Sequence, residues 1–309
     1  MAKFEWLDIN KARKPAFITS GIIILLSVVI AFVFGVKMDI QFTGGTIITF
    51  SYEGDIDLNS VQAKANEYLD VTSKVTFGES IGSQSIKTIS VAIDTAEGLT
   101  PEAQSEFITA IEGDFKDYKL TTLESNNVAA TTGVTFFWKC IVAVAIASVL
   151  LIIYVGFRFK KIGGWRAGVC GIVALLHDVF IAFAVMVIFR IQIDSNFIAA
   201  VLIILGYSIN DTIIIYDRLR ENRKIYGNKF DVAELTNISV RQTLGRTINT
   251  TITTLSSVIV ICIVCSVYNI TSIYSLIFPL LAGMLSGVYS TIFISCPLWV
   301  MWEQKRIKK

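Results

Sequence analysis

Six stretches of this sequence are too long and too apolar to pack inside an ordinary water-soluble core. The first is residues 16–36. The others lie near 134–157, 166–189, 196–216, 247–268 and 273–300. At 1.5 Å per residue, about 20 helical residues cross a hydrocarbon layer of roughly 30 Å. Lipid offers backbone N–H and C=O groups no partners, so each run has to be a helix. The fold class is therefore an all-α membrane bundle of six transmembrane helices. Composition agrees: 53% of the 309 residues are hydrophobic and only 17% are charged. The first run is longer than a secretory signal core and ends Gly-Val-Lys-Met-Asp, so it reads as a retained anchor.

Residues 37–133 are a different material. They carry fifteen Asp/Glu, six Lys and no Arg. Residues 46–52 have strand character, and 58–69 have helical spacing with Asp57 or Asn59 as N-cap. Residues 73–78 and 85–93 read as strands. Thr100-Pro101-Glu102 opens a second helix to about Ile111 with Pro at its first position, and 118–123 reads as a last strand. Strand-helix-strand-strand-helix-strand is the ferredoxin-like α+β plan. The predicted organisation is an N-terminus and first span (1–36), an α+β domain between helices one and two (37–133), and five further spans (134–309).

Charge sets the predicted orientation. Lys3, Lys11, Arg13 and Lys14 precede the first span; Arg158, Lys160, Lys161 and Arg166 join spans two and three. A polar loop at 217–246 carries Arg218, Arg220, Arg223, Lys224, Lys229, Arg241 and Arg246, and the C-terminus carries Lys305, Arg306, Lys308 and Lys309. In a six-span count all four segments share one side, which the positive-inside rule makes cytoplasmic. Both termini are then cytoplasmic, the α+β domain is extracytoplasmic, and the loops near 190–195 and 269–272 are short. A net charge of +2 gives no reason to expect nucleic acid as a partner. Cys140, Cys170, Cys262, Cys265 and Cys296 all lie in apolar runs, which argues against a disulfide framework, metal site or redox role.

Polar residues inside the spans carry the functional signal. His177 and Asp178 sit in span three; Tyr207, Ser208, Asn210 and Asp211 in span four; Arg246, Asn249, Thr250, Thr253, Thr254 and Ser257 at helical spacing in span five. An ionised carboxylate at mid-membrane costs about 2.5–3.5 kcal/mol on insertion scales, so Asp178 and Asp211 read as functional members of an internal polar pathway rather than packing. Asp211 lies six residues before Asp217, about 9 Å from the cytoplasmic end of its helix. The bland readings stand beside these: His177 as a satisfied core histidine, Arg246 as a snorkelling topology signal, the small residues as packing aids. Gly283 and Gly287 in span six are a small-xxx-small helix-packing face.

The chain resembles the SecF family, the smaller half of the bacterial SecD–SecF export complex within the RND superfamily. The resemblance rests on Asp39-Ile-Gln-Phe42-Thr-Gly44-Gly45-Thr46 and on His177-Asp178. It also rests on Gly206-Tyr-Ser-Ile-Asn210-Asp211-Thr212 running into Asp217-Arg218-Leu-Arg220-Glu221-Asn222. Arg246-Thr-Ile-Asn249-Thr250 and the Gly283/Ser286/Gly287 face complete it. It implies an RND-type half that uses the ion gradient to drive late steps of protein export. It further implies SecD, the SecYEG channel and the unfolded exported polypeptide as partners, with Asp211 and Arg246 in the ion path. The coupling ion, H⁺ or Na⁺, stays open, and no cofactor or enzymatic activity is implied. Physically, an Asp raised in pKa by burial and lowered by a nearby Arg could bias two helix arrangements. Gly44 and Gly45 would supply a hinge to the α+β domain.

Two other classes are weighed. An intramembrane aspartyl protease would use Asp178 and Asp211, but the Gly-x-Gly-Asp signature is absent before Asp211. An RND-type small-solute exporter needs twelve spans in one chain, and this sequence supplies six.

Overall fold

A computed structural model describes residues 7–69, 73–80, 86–93, 95, 98–128, 130–227, 229–268 and 273–307. Lys3, the 269–272 loop, Lys308 and Lys309 lie outside the described residues. Six helices are long and apolar enough to cross a membrane. Helix α1 (Ile9–Phe34) starts where the Asp8 carboxylate accepts the N–H groups of Asn10 and Lys11. Then come a single turn α2 (Ile40–Thr43), strand β1 (Gly45–Ser51), helix α3 (Leu58–Leu69) and strands β2 (Ser73–Ser80) and β3 (Ile86–Ile93). Helix α4 (Pro101–Asp114) and strand β4 (Thr121–Val128) complete the sheet region. The membrane helices α5 (Ala130–Arg158), α6 (Gly164–Ile188), α7 (Ser195–Tyr226) and α8 (Val232–Val267) follow. The last span is α9 (Tyr274–Ser290), a π-helical turn (Thr291–Ser295) and α10 (Cys296–Ile307).

The polar loop expected at 217–246 is almost entirely helix. α7 runs through Asp217 to Tyr226, and α8 begins at Val232. The charges are laid out at helical spacing: Arg220 pairs with Asp217 at 2.6 Å and Arg218 with Glu221 at 2.6 Å. Charge alone does not end a helix. Gly227, at φ 58°, does, and Asp231 then caps α8 through the N–H groups of Ala233 and Glu234.

The sheet order is β2-β3-β1-β4, and every neighbouring pair is antiparallel. Asp57, not Asn59, caps α3, accepting from the N–H groups of Asn59 and Ser60. The last strand starts at Thr121 rather than 118, because Lys116–Tyr118 is a 3-10 turn and Lys119 is left-handed at φ 47°. Ile48, Phe50, Val61, Ile89, Val91, Phe107 and Ile111 form a core separate from that of the membrane helices. The two bodies meet at a strap. Asp39 N–H donates to Ile193 O (2.8 Å), Ile193 N–H to Lys37 O (2.9 Å), and Phe42 packs on Phe136 and Phe137 with ring centroids 5.7 Å away.

Gly45 has φ 149°, and an added Cβ would lie 2.4 Å from Ile93 O. Residues 37–133 expressed alone should unfold cooperatively in urea, since their core is closed. In that background Gly45→Ala should cost about 2 kcal/mol, while Gly113→Ala, exposed on α4 with nothing within 4 Å, should gain about 0.5 kcal/mol. Random-coil circular dichroism of the isolated domain would overturn its independence. The Ser60 hydroxyl, with the Asn59 N–H, holds the Asp57 carboxyl below its ordinary value of 3.8. The cap's contribution is therefore complete above that value and is lost as pH falls through the lower folded value. The difference in midpoint between the parent domain and Asp57→Ala should shrink as pH drops below about 4.

Candidate functional site: carboxylates inside the bundle

Asp178 is fully buried on α6, among helices α7 and α9. Its Oδ1 accepts from Ser286 Oγ (2.6 Å), and its Oδ2 from Ser208 Oγ (2.7 Å) and Ser290 Oγ (2.9 Å). His177 Nδ1 lies 3.3 Å from Asp178 Oδ1 and 3.2 Å from Ser286 Oγ. No Arg or Lys pairs with Asp178 among the described residues. His177 Nε2 has no partner, and its ring lies 5.8 Å from that of Tyr289, whose hydroxyl donates to Ala16 O on α1.

The cage exists because α7 and α9 run parallel at a fixed offset. Thr212 meets Thr291 at 3.1 Å and Tyr216 meets Ser295 at 2.9 Å, both pairs 79 residues apart. Ile204 and Ser208 face Gly283 and Gly287 at the same offset. A Cβ on Gly283 would lie 2.3 Å from Ile204 Cδ1, and one on Gly287 would lie 3.0 Å from Ser208 Oγ. Both glycines are thus where the helices approach most closely, and Gly287 makes room for a hydroxyl that Asp178 uses.

Asp211 is also buried, at 2% exposure, but its Oδ2 has no hydrogen-bond partner. Tyr207 OH donates to Thr251 Oγ1 at 3.3 Å between antiparallel α7 and α8. One turn further toward the α7–α8 turn on each helix are Asp211 and Thr247. Thr247 Oγ1 is likewise buried and unpartnered. Helical spacing turns Asp211 and Thr247 toward the same α7–α8 seam, where neither buried oxygen finds a hydrogen-bond partner, and Asp211 forms no ion pair with Arg246 among the described residues. Arg246 is exposed and makes no ion pair among the described residues. The reason is angular: successive helical residues are about 100° apart, so a helix turning Thr247 and Thr251 inward turns Arg246 outward.

The whole expected polar face of α8 points outward. Arg246, Asn249, Thr253 and Ser257 are exposed and Thr250 is half-buried, as Asn210 is exposed on α7. The hydroxyls of Thr250, Thr253 and Ser257 bond carbonyls of their own helix. The Asn210 and Asn249 amides make no hydrogen bond among the described residues. At the strap, Gly44 (φ 89°) ends α2, its N–H donating to Ile40 O at 2.8 Å, and Gly45 opens β1. Thr247 escaped the sequence reading because α8 is polar on two faces, and spacing does not say which one is inside.

Residues 108–305 match the family described as Protein export membrane protein SecD/SecF, C-terminal. The chain belongs to the SecD/SecF protein-export family. It is 31% identical over 302 residues to the protein translocase subunit SecF of Alicyclobacillus acidocaldarius, covering 98% of this chain and 94% of that one. It is 30% identical over 309 residues to the protein translocase subunit SecDF of Bacillus subtilis, covering 99% of this chain and 39% of that one. The crystal structure of SecDF from Thermus thermophilus, a translocon-associated membrane protein, superposes with a TM-score of 0.76 at 26% identity. The match covers 96% of this chain and 39% of the SecDF chain. The chain therefore spans well under half of the fused SecDF proteins and nearly all of a separate SecF.

The two SecF carboxylates should respond oppositely to amidation. Asp178→Asn replaces an acceptor with a donor facing serine hydroxyls and should cost about 1–2 kcal/mol. Asp211→Asn has no bond at Oδ2 to lose and should leave thermal stability in detergent unchanged. Equal melting temperatures for Asp178→Asn and the parent would show that the cage is not structural.

Proposed function

We propose that this SecF protein is one half of a Sec translocase accessory complex, in which protonation of Asp211 couples the transmembrane gradient to late steps of protein export. The observation that carries this is the buried, unpartnered Asp211 Oδ2 beside an outward polar stripe that lipid alone would not solvate. Asn210, Arg246 and Asn249 need a second protein surface at membrane depth. SecD is the partner proposed for it, because this chain matches one part of fused SecDF chains. Arg246 then acts at the junction of the two halves, and Asn249 and Thr250 line it. The bonded cage of His177 and Asp178 holds the helix that carries Asp211. A proton needs a single free carboxylate oxygen, whereas Na⁺, like other hard cations, takes several oxygens; one unpartnered hydroxyl, Thr247, stands nearby, so H⁺ is the ion proposed.

The orientation proposed has both termini in the cytoplasm and residues 37–133 outside the cell membrane, with lipid around the exposed helix faces. The antiparallel order β2-β3-β1-β4 supports a ferredoxin-like plan for that domain. Gly44 and Gly45 are its proposed hinge, the backbone at φ 89° and 149° being open only to glycine. The domain would hold an unfolded polypeptide leaving the SecYEG channel. A protease reading loses support because Asp178 and Asp211 share no hydrogen bond, as a two-carboxylate catalyst requires.

The test uses vesicles containing the channel, the partner half and this chain. Asp211→Asn should assemble and permit ATP-powered translocation but abolish gradient-stimulated export. Arg246→Lys should impair it strongly, because an ammonium does not reproduce the guanidinium fork. Full gradient stimulation with Asp211→Asn would make the carboxylate structural and end this mechanism.

A further inference from the structure

We propose that the cleft where the α+β domain meets the bundle binds the headgroup of an anionic phospholipid from the leaflet on the domain's side. The cleft has a volume of about 670 Å³. Lys37, Lys74 and Arg190 line it, and among the described residues no carboxylate does. Two of the six lysines in a region with fifteen acidic residues are thus gathered at one place. None of the three cations makes an ion pair among the described residues. Lys74 Nζ gives one hydrogen bond, to Gln192 Oε1. An ammonium has three donors, so two remain.

Arg190 sits where glycine would be easier. α6 ends in a Schellman motif: Ile191 N–H donates to Met186 O at 2.9 Å and Arg190 N–H to Val187 O at 3.3 Å. That motif places residue 190 at φ 56°, a conformation costing a side-chain-bearing residue roughly 1–2 kcal/mol. The arginine is therefore there for its guanidinium. Nη1 donates to Phe34 O (2.6 Å) and Gly35 O (2.7 Å), anchoring the end of α1 at the cleft. The other edge of its fork keeps the donors that suit a phosphate.

Depth and apolar lining select a lipid over a free anion. The cleft lies at the ends of α1, α6 and α9, the level of the headgroups. Val36, Ile191 and Tyr274 line it together with the cations, and tyrosine is the residue type favoured at that level. Phe34 and Phe189, both about two-thirds exposed at 64% and 65%, continue the apolar surface into the hydrocarbon. Cations gathered with apolar residues next to exposed Phe34 and Phe189 match an amphiphile with one phosphate and two acyl chains.

Native mass spectrometry of the full chain in detergent tests this, with phosphatidylglycerol, phosphatidylcholine of the same tails, and glycerol 3-phosphate as probes. One phosphatidylglycerol should bind more tightly than either other probe. Lys37→Ala with Lys74→Ala should weaken it about thirtyfold, as expected for two lysines near an anionic headgroup. Lys37→Glu, an exposed and unpaired position, gives the same readout should the double variant fold poorly. Phosphatidylcholine binding equally, undiminished binding in both variants, or glycerol 3-phosphate binding as tightly as the lipid would each overturn the proposal.

Discussion

A carboxylate buried at membrane depth with no Arg or Lys paired to it among the described residues decides how the helices of this bundle meet. Asp178 is fully buried and pairs with no Arg or Lys among the described residues. Its two oxygens are served by hydroxyls from α7 (Ser208) and α9 (Ser286, Ser290). Any slip of either helix removes a donor from a group that cannot be resolvated in lipid, so the cage fixes register as well as proximity. The constant offset of α7 and α9, from Ile204 opposite Gly283 to Tyr216 opposite Ser295, is the geometric expression of that demand. Helix-packing glycines and a polar centre are here one device: Gly287 has no side chain because Ser208 has to stand where a Cβ would crowd it.

Asp211 is built the other way. It is on the same helix, three residues after Ser208, yet its Oδ2 is left without a partner, and Thr247 on the facing side of α8 is likewise left with an unpartnered hydroxyl. The two carboxylates thus divide the work. One is satisfied by fixed donors and holds α7 in place; the other leaves bonding capacity open at the seam with α8. The outer side of that seam carries the exposed side chains of Asn210, Arg246 and Asn249.

Much of this was legible from residues alone. Apolar run length gave six spans, and period-two and helical patterns placed β1, α3 and α4 within a few residues. The need of a buried Asp178 for polar neighbours follows from its cost in lipid, whereas Asp211 Oδ2 finds none. What spacing could not supply was direction. Arg246, Asn249, Thr250 and Thr253 do share one face, but so do Thr247 and Thr251, and only packing shows that the second face turns toward Asp211. Charged residues between 217 and 226 suggested a loop because polarity was read as exposure of the chain; helical i, i+3 ion pairs produce the same polarity. The serines of span six looked like packing aids, and their bonds to Asp178 became visible only when three helices were brought together.

The π-helical turn at Thr291–Ser295 gives this arrangement a place to yield. π turns carry an extra residue and are frequent where a helix has to adjust. Here the turn lies immediately after Ser290, the last donor to Asp178. Its two ends are tied to α7 by Thr212–Thr291 and Tyr216–Ser295. Thr212 adjoins Asp211 in sequence. A change of charge at Asp211 that shifts α7 would therefore meet a rigid contact on the Asp178 side and a compliant one on the Thr291 side. The last span continues from that turn to Glu303, a buried carboxylate on α10. Glu303 joins Arg166 of α6 at 2.9 Å and Arg306 at 2.7 Å, with Arg223 of α7 at 3.9 Å. That cluster ties the far end of α7 to α6 and α10 by charge rather than by hydroxyl bonds. α7 is thus tied by hydroxyl bonds at Ser208, Thr212 and Tyr216 and by charge at Arg223, while its seam with α8 keeps the unpartnered Asp211 and Thr247 oxygens.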